Sequence, residues 1–525
     1  MKSPLWLLPL VAAAGFSSCS RATHADHYSA LDRIREESVR RDLFTLASDS
    51  LKGRDTPSAG LDSAAVYIAR AFARDGLRPV NGSYFQEVPL CIVSLGEPNA
   101  LSLRTGSEER AFAIKTEFTP FDVTASRSVR GRVVFAGYGI TAPELGYDDY
   151  AGLDVRGAVV FVLRHEPGEE DTASAFMGAL PTDYSSVGAK VRIAIEHGAV
   201  GVLVATDPLN HASLAPRGFP WPSLSQIIPK DALPLTLGME DSTRLPVVHV
   251  GDSVIVRLFG SVDSLRALQQ TIDARFRPQS FLIRGAEAVL QTTTEVRTLS
   301  ARNVVGYLPG SDPVVGHETV IIGAHYDHVG YKKNHAPGER YIYSGADDNA
   351  SGTCALLGVA TALGGLPSPP KRNILCIAFA GEEKGLFGSE YYARRPLFPL
   401  STTVAMLNMD MVGMNAEDTL LLIGTRGSPD LARIAREEVG RIGFVLVDDQ
   451  LRGGGSDHMS FMKRNIPNLF FHSGLERYYH TVNDRPENID VRKVARTARL
   501  VFLTAHRIAN DTLRYRYIPS PVSLF

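Results

Sequence analysis

The sequence predicts an α/β protein: a three-layer sandwich with a mostly parallel central sheet, plus an inserted, small β-rich unit. Two observations predict it. From residue 303 onward, short apolar runs typical of strands alternate with segments whose apolar residues recur every three or four positions, as expected when helices connect the strands of a covered sheet. Between residues 128 and 285, closely spaced β-branched runs broken by Gly and Pro indicate a smaller, strand-rich unit.

The composition is that of a globular protein with a substantial core. Hydrophobic residues make up 44% of the 525 residues and charged residues 21%. These values exclude general disorder, and the length predicts about two to four structural units. The 55 Lys and Arg residues are balanced by 57 Asp and Glu residues, without a long basic block. Nucleic acid is therefore not an expected partner.

Residues 1–19 predict an export signal. One Lys is followed by an apolar stretch over residues 5–16 and then by small residues ending at Cys19, and the stretch is too short to span a bilayer. The arrangement resembles a bacterial lipoprotein signal, which implies a lipid on Cys19 and a cell-envelope protein facing the periplasm or the exterior. Ordinary cleavage nearby, giving a secreted or periplasmic protein, is the alternative. The remaining cysteines are predicted to be buried core residues without a disulfide framework: Cys91, Cys354 and Cys376.

Residues 20–127 are predicted to form the N-terminal part of the sandwich domain. Two helices are expected there, in SALDRIREESVRRDLFTLAS and AGLDSAAVYIARAFARDGL, separated by the loop DSLKGRDTPS. Residues 128–285 form the predicted insert, with one amphipathic helix in VGAKVRIAIEHGA. Its strands are expected in GRVVFAGYGI, GAVVFVLRH, GVLVATD, LPVVHVG and DSVIVRLFG.

Residues 286–515 are predicted to complete the sandwich, with 516–525 as a tail. Strands in TVIIGAHY, RNILCIAFAG, TTVAMLNMDMVG and PNLFFHSG alternate with helices over about 352–363 and 388–394, and a helix in DVRKVARTARLVFLTAHRIAND closes the domain. Ligands of open sheets of this kind gather at the carboxyl ends of the strands. Functional side chains are therefore expected directly after these strands.

Five metal-capable side chains lie at or near successive predicted strand ends. Two imidazoles and three carboxylates suit a pair of Zn²⁺ ions, whose usual protein ligands include His nitrogen and Asp or Glu oxygen. The candidates are His325 in VIIGAHYDHVG, Asp347 in SGADDNASG, Glu383 in ILCIAFAGEEKG, Asp410 in VAMLNMDMVG and His480 in YYHTVNDRPENID.

These motifs, in this order and with the insert, resemble the zinc exopeptidases of peptidase family M28. The insert itself resembles the protease-associated domain found in several exopeptidase families. The resemblance covers about residues 28–510 and implies that the five candidates bind two zinc ions, with Asp347 bridging both. It also implies that Glu382 is the general base that takes a proton from the attacking water. Asp327, two residues after the first candidate histidine, is interpreted as the carboxylate that orients that imidazole.

Two of these interpretations have structural alternatives. The Asp347 carboxylate is also suited to cap the helix that follows it, although Asp348 or Asn349 is equally able to fill that role. For Asp327 the alternative is an ordinary surface loop.

The segment GGGSDHMSF extends the resemblance and is expected to form a wall of the cleft through Ser456, Asp457 and His458. Some relatives have a Tyr three residues before this Ser, where it stabilises the oxyanion, but here the position is Gly453. The oxyanion donor is therefore left open. The adjacent pair Tyr478 and Tyr479 is suited either to supply a hydroxyl or to pack.

The resemblance implies an exported dinuclear zinc aminopeptidase acting on peptides. A carboxypeptidase or dipeptidase on the same scaffold is the first alternative, and its relatives hold the substrate carboxylate with several Arg residues. Arg340, Arg372 and Arg452 are the candidates for that role here. A non-catalytic binding module is the second alternative. The preferred side chain, the physiological substrate and the oligomeric state are left open by the sequence.

Overall fold

The structure, a computed structural model, describes residues 26–518 except 172, 177, 179–180, 217–234, 239–243 and 449–454. The predicted export signal with Cys19 lies outside this part of the chain, as do residues 519–525 of the predicted tail. None of the helices described here combines the length and the apolarity needed to cross a membrane.

The described chain combines a run of strands over residues 85–163 with segments in which strands and helices alternate. The α-helices are α1 Asp26–Ser29, α2 Glu36–Leu46, α3 Ala59–Arg74, α4 Val187–Glu196, α5 Asp252–Phe259, α6 Val262–Arg275, α7 Gly352–Leu363, α8 Phe387–Arg394, α9 Pro429–Val439, α10 His458–Met462 and α11 Val491–Asn510. The first twelve strands are β1 Phe85–Leu95, β2 Ala100–Thr105, β3 Glu108–Phe112, β4 Phe118–Pro120, β5 Arg127–Phe135, β6 Thr141–Ala142, β7 Tyr147–Asp148, β8 Val159–Leu163, β9 Gly201–Ala205, β10 Leu235–Leu237, β11 Val247–Val250 and β12 Phe281–Thr292. The remaining strands are β13 Thr294–Leu308, β14 Thr319–His325, β15 Asn373–Phe379, β16 Thr403–Met409, β17 Thr419–Ile423, β18 Val445–Asp448 and β19 Asn468–His472.

A nine-stranded mixed sheet holds the later motifs, in the order β10-β1-β13-β15-β14-β16-β19-β17-β18. Its centre is parallel, since β15, β14, β16 and β19 pair in parallel with one another. Its flanks contain antiparallel pairs, such as β13 with β15 and β17 with β19. The predicted parallel sheet is thus confirmed for the centre, and it is there that strand ends converge on one edge.

Helices cover both faces of this sheet. Successive strand side chains point to opposite faces, so Ile322 of β14 packs in the apolar cluster that includes α7 and α11, whereas its neighbour Ile321 packs in a second cluster with Tyr392 of α8. The two layers of helices and the sheet between them form the predicted three-layer sandwich. Cys354 and Cys376 are buried within its core, as expected, and Cys91 is also buried and free.

The second unit is also α/β, which corrects the prediction of a β-rich insert with one helix. Its eight-stranded sheet, in the order β3-β2-β12-β5-β8-β9-β11-β4, begins at Ala100 and so takes in strands that lie before the predicted boundary at residue 128. Helix α4 packs on one face, and α5 and α6 pack on the other. The segment DSVIVRLFG is helix α5 and not a strand.

The reason for the wrong strand in DSVIVRLFG lies in the spacing of its apolar residues. Val254 and Ile255 are buried while Leu258 and Phe259 pack against the same cluster, and this recurrence after four positions is helical. The β-branched composition favoured a strand, but β-propensity depends more strongly on context than the periodicity does.

The histidine at the end of α11, His506, lies at the junction of this helix and the N-terminus of the described chain. Its ring stacks on His27 at 4.6 Å and lies 5.8 Å from the ring of Phe502. Asn510 Nδ2 lies 3.1 Å from its Nε2 atom. Burial, with a contribution from His27, lowers the pKa of His506 from 6.5 to about 4.

This lowered pKa predicts a specific loss of stability in acid. The unfolded chain takes up a proton at His506 near pH 6.5, while the folded chain does so only near pH 4. The contribution of the neutral His506 ring to the free energy of unfolding is therefore fully present above pH 6.5 and is lost as the pH falls from 6.5 to 4. His506→Gln should reduce the loss of unfolding free energy between pH 7 and pH 5 by about 2 kcal/mol.

Urea unfolding followed by far-UV circular dichroism at the two pH values measures this difference. His317, which is exposed, supplies the control variant His317→Gln, which should behave as the wild type. An equal loss of stability in His506→Gln and wild type would contradict the assignment.

Candidate metal centre

The predicted site residues lie at the carboxyl ends of the parallel strands. His325 is the last residue of β14, Asp410 follows β16 directly, and Glu383 lies in the short turn Glu382–Lys384 after β15. His480 lies in the longer loop after β19. Parallel neighbours end at the same edge of a sheet, which is why these distant segments meet.

One group of metal-capable side chains brings the predicted ligands His325 and Asp410 together with the predicted base Glu382. Each of the three offers one nitrogen or oxygen atom, and these atoms lie within 4.8 Å of one another. His325 Nε2 lies 3.3 Å from Asp410 Oδ1. His325 is almost fully buried, and Glu382 is half-buried at the edge of the group.

A second group brings together His328, Asp348, Glu383 and His480 within the same distance limit. His480 Nε2 lies 3.1 Å from Glu383 Oε2. The other oxygen of this carboxylate, Oε1, lies 2.9 Å from His328 Nδ1. His480 adopts a left-handed backbone conformation with φ 54°, a conformation uncommon for residues other than Gly.

Asp348 joins the two groups. Its Oδ1 atom lies 3.4 Å from His325 Nε2, and its Oδ2 atom lies 3.0 Å from His480 Nε2. One carboxylate therefore faces an imidazole of each group with a different oxygen. This is the geometry by which a single carboxylate binds two cations at once.

The prediction that Asp347 bridges the two ions is corrected by this geometry, which places Asp348 there instead. Asp347 Oδ1 accepts a hydrogen bond from Gly413 N at 2.7 Å, away from the imidazoles. The side chain of Asn349 accepts from Gly352 N at 2.9 Å and so fills the structural role at the helix start. The prediction was wrong by one residue. The segment Ala346–Ser351 departs from helical dihedrals at Asp348 and Asn349, and the sequence does not reveal which of the two adjacent Asp side chains this turn directs to the sheet edge.

The donor atoms of the two groups fit divalent cations. His325 Nδ1 and Nε2, His480 Nε2 and Asp410 Oδ1 are buried without a hydrogen-bond partner, although buried polar groups are normally satisfied. Several buried carboxylates, those of Asp348, Glu383 and Asp410, are also gathered here, which is costly unless the charges are paired or bound to metal. His nitrogen and carboxylate oxygen are the ligands that Zn²⁺ prefers.

Asp327 lies beneath the first group and is fully buried, so it is not a surface loop residue. Its Oδ1 atom lies 3.6 Å from His325 Nδ1, longer than a hydrogen bond. The same oxygen accepts the backbone N–H of Glu382 at 3.2 Å, and Oδ2 accepts from Thr56 Oγ1 at 2.9 Å. Asp327 therefore links the position of the histidine to that of the predicted base.

The electrostatics differ sharply between the two central carboxylates. Burial disfavours ionisation of Asp348, but its contacts with His325 and His480 outweigh this effect and hold the pKa of Asp348 well below its usual range. Burial raises the pKa of Glu382 well above its usual range, and the neighbouring Glu383 and Asp410 act in the same direction. A carboxylate whose pKa is raised is a better proton acceptor near neutral pH.

Residues outside the predicted set hold the centre in place. Asp484 accepts the backbone N–H groups of Asp347 and Asp348 at 2.7 and 3.1 Å. His472 Nδ1 donates to the carbonyl oxygen of Asp410 at 2.7 Å. Arg54, fully buried, donates to the carbonyl oxygens of Tyr326, Ser344 and Gly345 at 2.8 to 2.9 Å and thereby ties the N-terminal segment to the loops that carry the ligands.

His328 and Asp484 are the functional residues that the sequence interpretation missed. His328 lies three positions after His325 in the same motif, a signal available from the sequence. A Cβ atom built on Gly345, which has φ 56°, would lie 2.4 Å from the His328 ring, so this glycine allows the close approach. Asp484 likewise lies four positions after His480 in the motif YYHTVNDRPENID.

The structure describes the predicted cleft wall but only some of the other candidate residues. Asp457 is fully buried and its pKa is raised to about 7, chiefly by burial; Ser456 and His458 are buried beside it. The ring of Tyr479 stacks on His480 at 3.9 Å, which is a packing role. Gly453, where some relatives place the oxyanion donor, lies outside the described residues, as does Arg452.

Comparison with known proteins finds a family match. Residues 303–505 match the sequence pattern of peptidase family M28. This segment contains every ligand candidate and the predicted base, so the centre described above lies within the part of the chain that is similar to this family, and it is called the M28 centre below.

Individual relatives match over part or most of the chain. Aminopeptidase YwaD of Bacillus subtilis (strain 168) is 29% identical over 215 residues, which cover 38% of this chain and 43% of that protein. A probable leucine aminopeptidase of Arthroderma benhamiae is 30% identical over 210 residues, covering 38% of this chain and 57% of that protein. The chain thus spans about half the length of these curated relatives. A solved structure, an aminopeptidase from Aneurinibacillus sp. strain AM-1, is 22% identical with a TM-score of 0.46 and covers 94% of this chain and 96% of its own.

The corrected position of the shared carboxylate predicts different effects for two adjacent residues. Asp348→Asn removes the charge between His325 and His480, so zinc affinity should fall by at least about a hundredfold. Asp347→Asn keeps an oxygen acceptor for Gly413 N and should retain most of the zinc.

Zinc content after dialysis, measured by inductively coupled plasma mass spectrometry, compares the two variants. Greater loss from Asp347→Asn would restore the original assignment, and equal loss from both variants would contradict the placement of Asp348.

Proposed function

We propose that this protein is an exported zinc aminopeptidase with two metal ions, which hydrolyses N-terminal residues from peptides. The observation that carries the proposal is the Asp348 carboxylate, which faces the His325 group with one oxygen and the His480 group with the other. The M28 assignment of residues 303–505 and the aminopeptidase names of the relatives support it.

The His325 and His480 groups would hold the zinc, which would supply Lewis acidity for the scissile carbonyl and for the attacking water near neutral pH. Glu382, at the edge of the first group, accepts the proton of the attacking water and passes it to the leaving amine. Asp327 holds the backbone N–H of Glu382 at 3.2 Å and so fixes the base relative to His325. Glu383, whose two carboxylate oxygens contact His328 and His480, is a metal ligand and not the base.

Two of the three arginines that are candidates for holding a substrate carboxylate make other contacts, which favours an aminopeptidase over a carboxypeptidase. Arg372 is fully buried and donates to Glu318 and to the carbonyl oxygens of Ile508 and Leu513. These contacts do not suit a residue that binds the carboxylate of a substrate. Arg340 donates to the carbonyl oxygen of Val482 at 3.0 Å and to Asp49 at 3.1 Å. Both guanidinium groups are thus already bound within the protein.

We further propose that the second α/β unit is a protease-associated insert without ligands for the M28 centre, and that residues 1–19 direct export, with a lipid on Cys19. The proposal of an insert rests on the order of the chain: most of the strands between β1 and β13 belong to the second sheet, whereas β1 and β13 belong to the first. The export proposal rests on the apolar stretch and the small residues before Cys19.

A panel of blocked peptides tests the direction of attack. The zinc-loaded chain should release the N-terminal residue from free and carboxyl-amidated peptides, and amino-acetylated peptides should react at least about a hundredfold more slowly, because the free amine is part of what is recognised. Liquid chromatography of the products identifies the residue released. Cleavage of acetylated but not amidated peptides would establish the carboxypeptidase instead, and no turnover by the zinc-loaded chain would overturn the proposal.

Replacement of the base separates chemistry from metal binding. Glu382→Gln should lower kcat by about 10²- to 10⁴-fold while zinc content is unchanged, because proton transfer is lost and the ligands remain. Steady-state kinetics on an aminoacyl reporter substrate, with metal analysis of the same sample, measure both quantities. Glu417, an exposed residue paired with Arg492, supplies the control Glu417→Gln, which should keep full activity. A Glu382→Gln enzyme within a factor of ten of wild type would exclude the assigned role.

A further inference from the structure

A second cluster of metal-capable side chains lies in the other sheet, away from the M28 centre. Strands β8 and β9 are parallel neighbours. His165 lies two residues after the end of β8, and Asp207 lies two residues after the end of β9. The loops that follow these strands also carry Glu169 and His211, so the cluster occupies the carboxyl edge at which α/β sheets bind ligands.

The ligand atoms of this cluster converge on a small volume. The four atoms, one from each side chain, lie within 4.8 Å of one another. His165 Nδ1 contacts Asp207 Oδ2 directly and lies 3.1 Å from His211 Nε2. Glu169 Oε2 lies 3.3 Å from the first of these nitrogens and 3.1 Å from the second.

Hydrogen bonds account for only part of this arrangement. A ring nitrogen carries at most one hydrogen, yet His165 Nδ1 faces the Asp207 oxygen, the Glu169 oxygen and the nitrogen of His211 at once. The two imidazole nitrogens also face each other, and the two carboxylates bring like charges together. A cation at the centre satisfies all four lone pairs at the same time.

The set of donors defines the class of cation. Two imidazole nitrogens and two carboxylate oxygens form a four-ligand set of the kind that Zn²⁺ binds tetrahedrally. Calcium and magnesium prefer oxygen ligands throughout. The cluster therefore fits zinc or a similar transition-metal ion.

Contacts around the cluster hold its loops in place. Asp207 accepts the backbone N–H of His165 at 3.2 Å, and its own carbonyl oxygen accepts the backbone N–H of His211 at 3.1 Å. Lys190, buried in α4, donates to the carbonyl oxygen of His165 at 2.6 Å. Gln269 of α6 accepts the backbone N–H of Leu209 at 2.8 Å. Such partners orient ligands and raise affinity.

We propose that these four side chains form a binding site for a zinc-type divalent cation, independent of the M28 centre. Bound there, the ion joins the loop after β8 to the loop after β9 and stabilises the second unit. The site does not contribute a residue to the M28 centre, so its loss lowers metal content and stability without removing the residues assigned to peptide hydrolysis.

The test counts zinc on the full chain in which the M28 centre has been disabled by His325→Ala and His480→Ala. After equilibrium dialysis against zinc, this background should retain about one zinc ion per chain, as expected for a four-ligand site. Adding His165→Ala and His211→Ala should remove it. Equal zinc content with and without the two further changes would overturn the proposal, as would a background that binds no zinc.

A matched pair of variants makes the test independent of these multiple replacements. Glu169→Gln alters one ligand atom, whereas Glu170→Gln alters its exposed neighbour outside the cluster. In the otherwise unchanged chain, Glu169→Gln should weaken one class of zinc sites by at least about tenfold and lower the zinc-dependent rise in Tm, while Glu170→Gln should match wild type. Identical titrations for the two variants would refute the site. Both readouts are independent of peptidase activity, so an inactive enzyme that still binds this zinc would contradict only the proposed function.

Discussion

The position of one carboxylate between two imidazoles is the constraint on which the rest of the M28 centre depends. Asp348 meets His325 on one side and His480 on the other, and these histidines come from segments far apart in the chain. Charges buried in this way are costly without counter-charges. The fold must therefore bring every partner to the same point. It does so at the strand ends and through the backbone N–H groups of Asp347 and Asp348, which donate to the Asp484 carboxylate.

The same architectural rule operates in both sheets. In the first sheet, β14, β15, β16 and β19 run parallel, and the ligand candidates lie at or after their carboxyl ends, at one edge. In the second sheet, β8 and β9 do the same for His165 and Asp207. Parallel strands bring loops from distant parts of the sequence together, so polar side chains at their ends can gather without disturbing the apolar core.

Much of the fold and the site was predictable because it depends on local patterns. The α7 helix has the predicted bounds, 352–363, and α2 and α3 lie in the predicted segments. The motifs around His325, Glu383 and Asp410 point to the right strand ends. The failures occur where neighbours compete: DSVIVRLFG has a strand-like composition with a helical spacing, and Asp347 and Asp348 are chemically identical.

The sequence by itself predicted which segments are strands and helices of the main sandwich and which side chains are able to bind zinc, because periodicity and side-chain chemistry are local. Different roles for Glu382 and Glu383 were implied only by the resemblance to peptidase family M28. Only the tertiary structure decided that Asp348 and not Asp347 faces both histidines, that His328 and Asp484 support the centre, and that His165 meets His211 in the second sheet. Those facts depend on backbone dihedrals and on contacts between residues distant in the chain, which packing selects and no local pattern records.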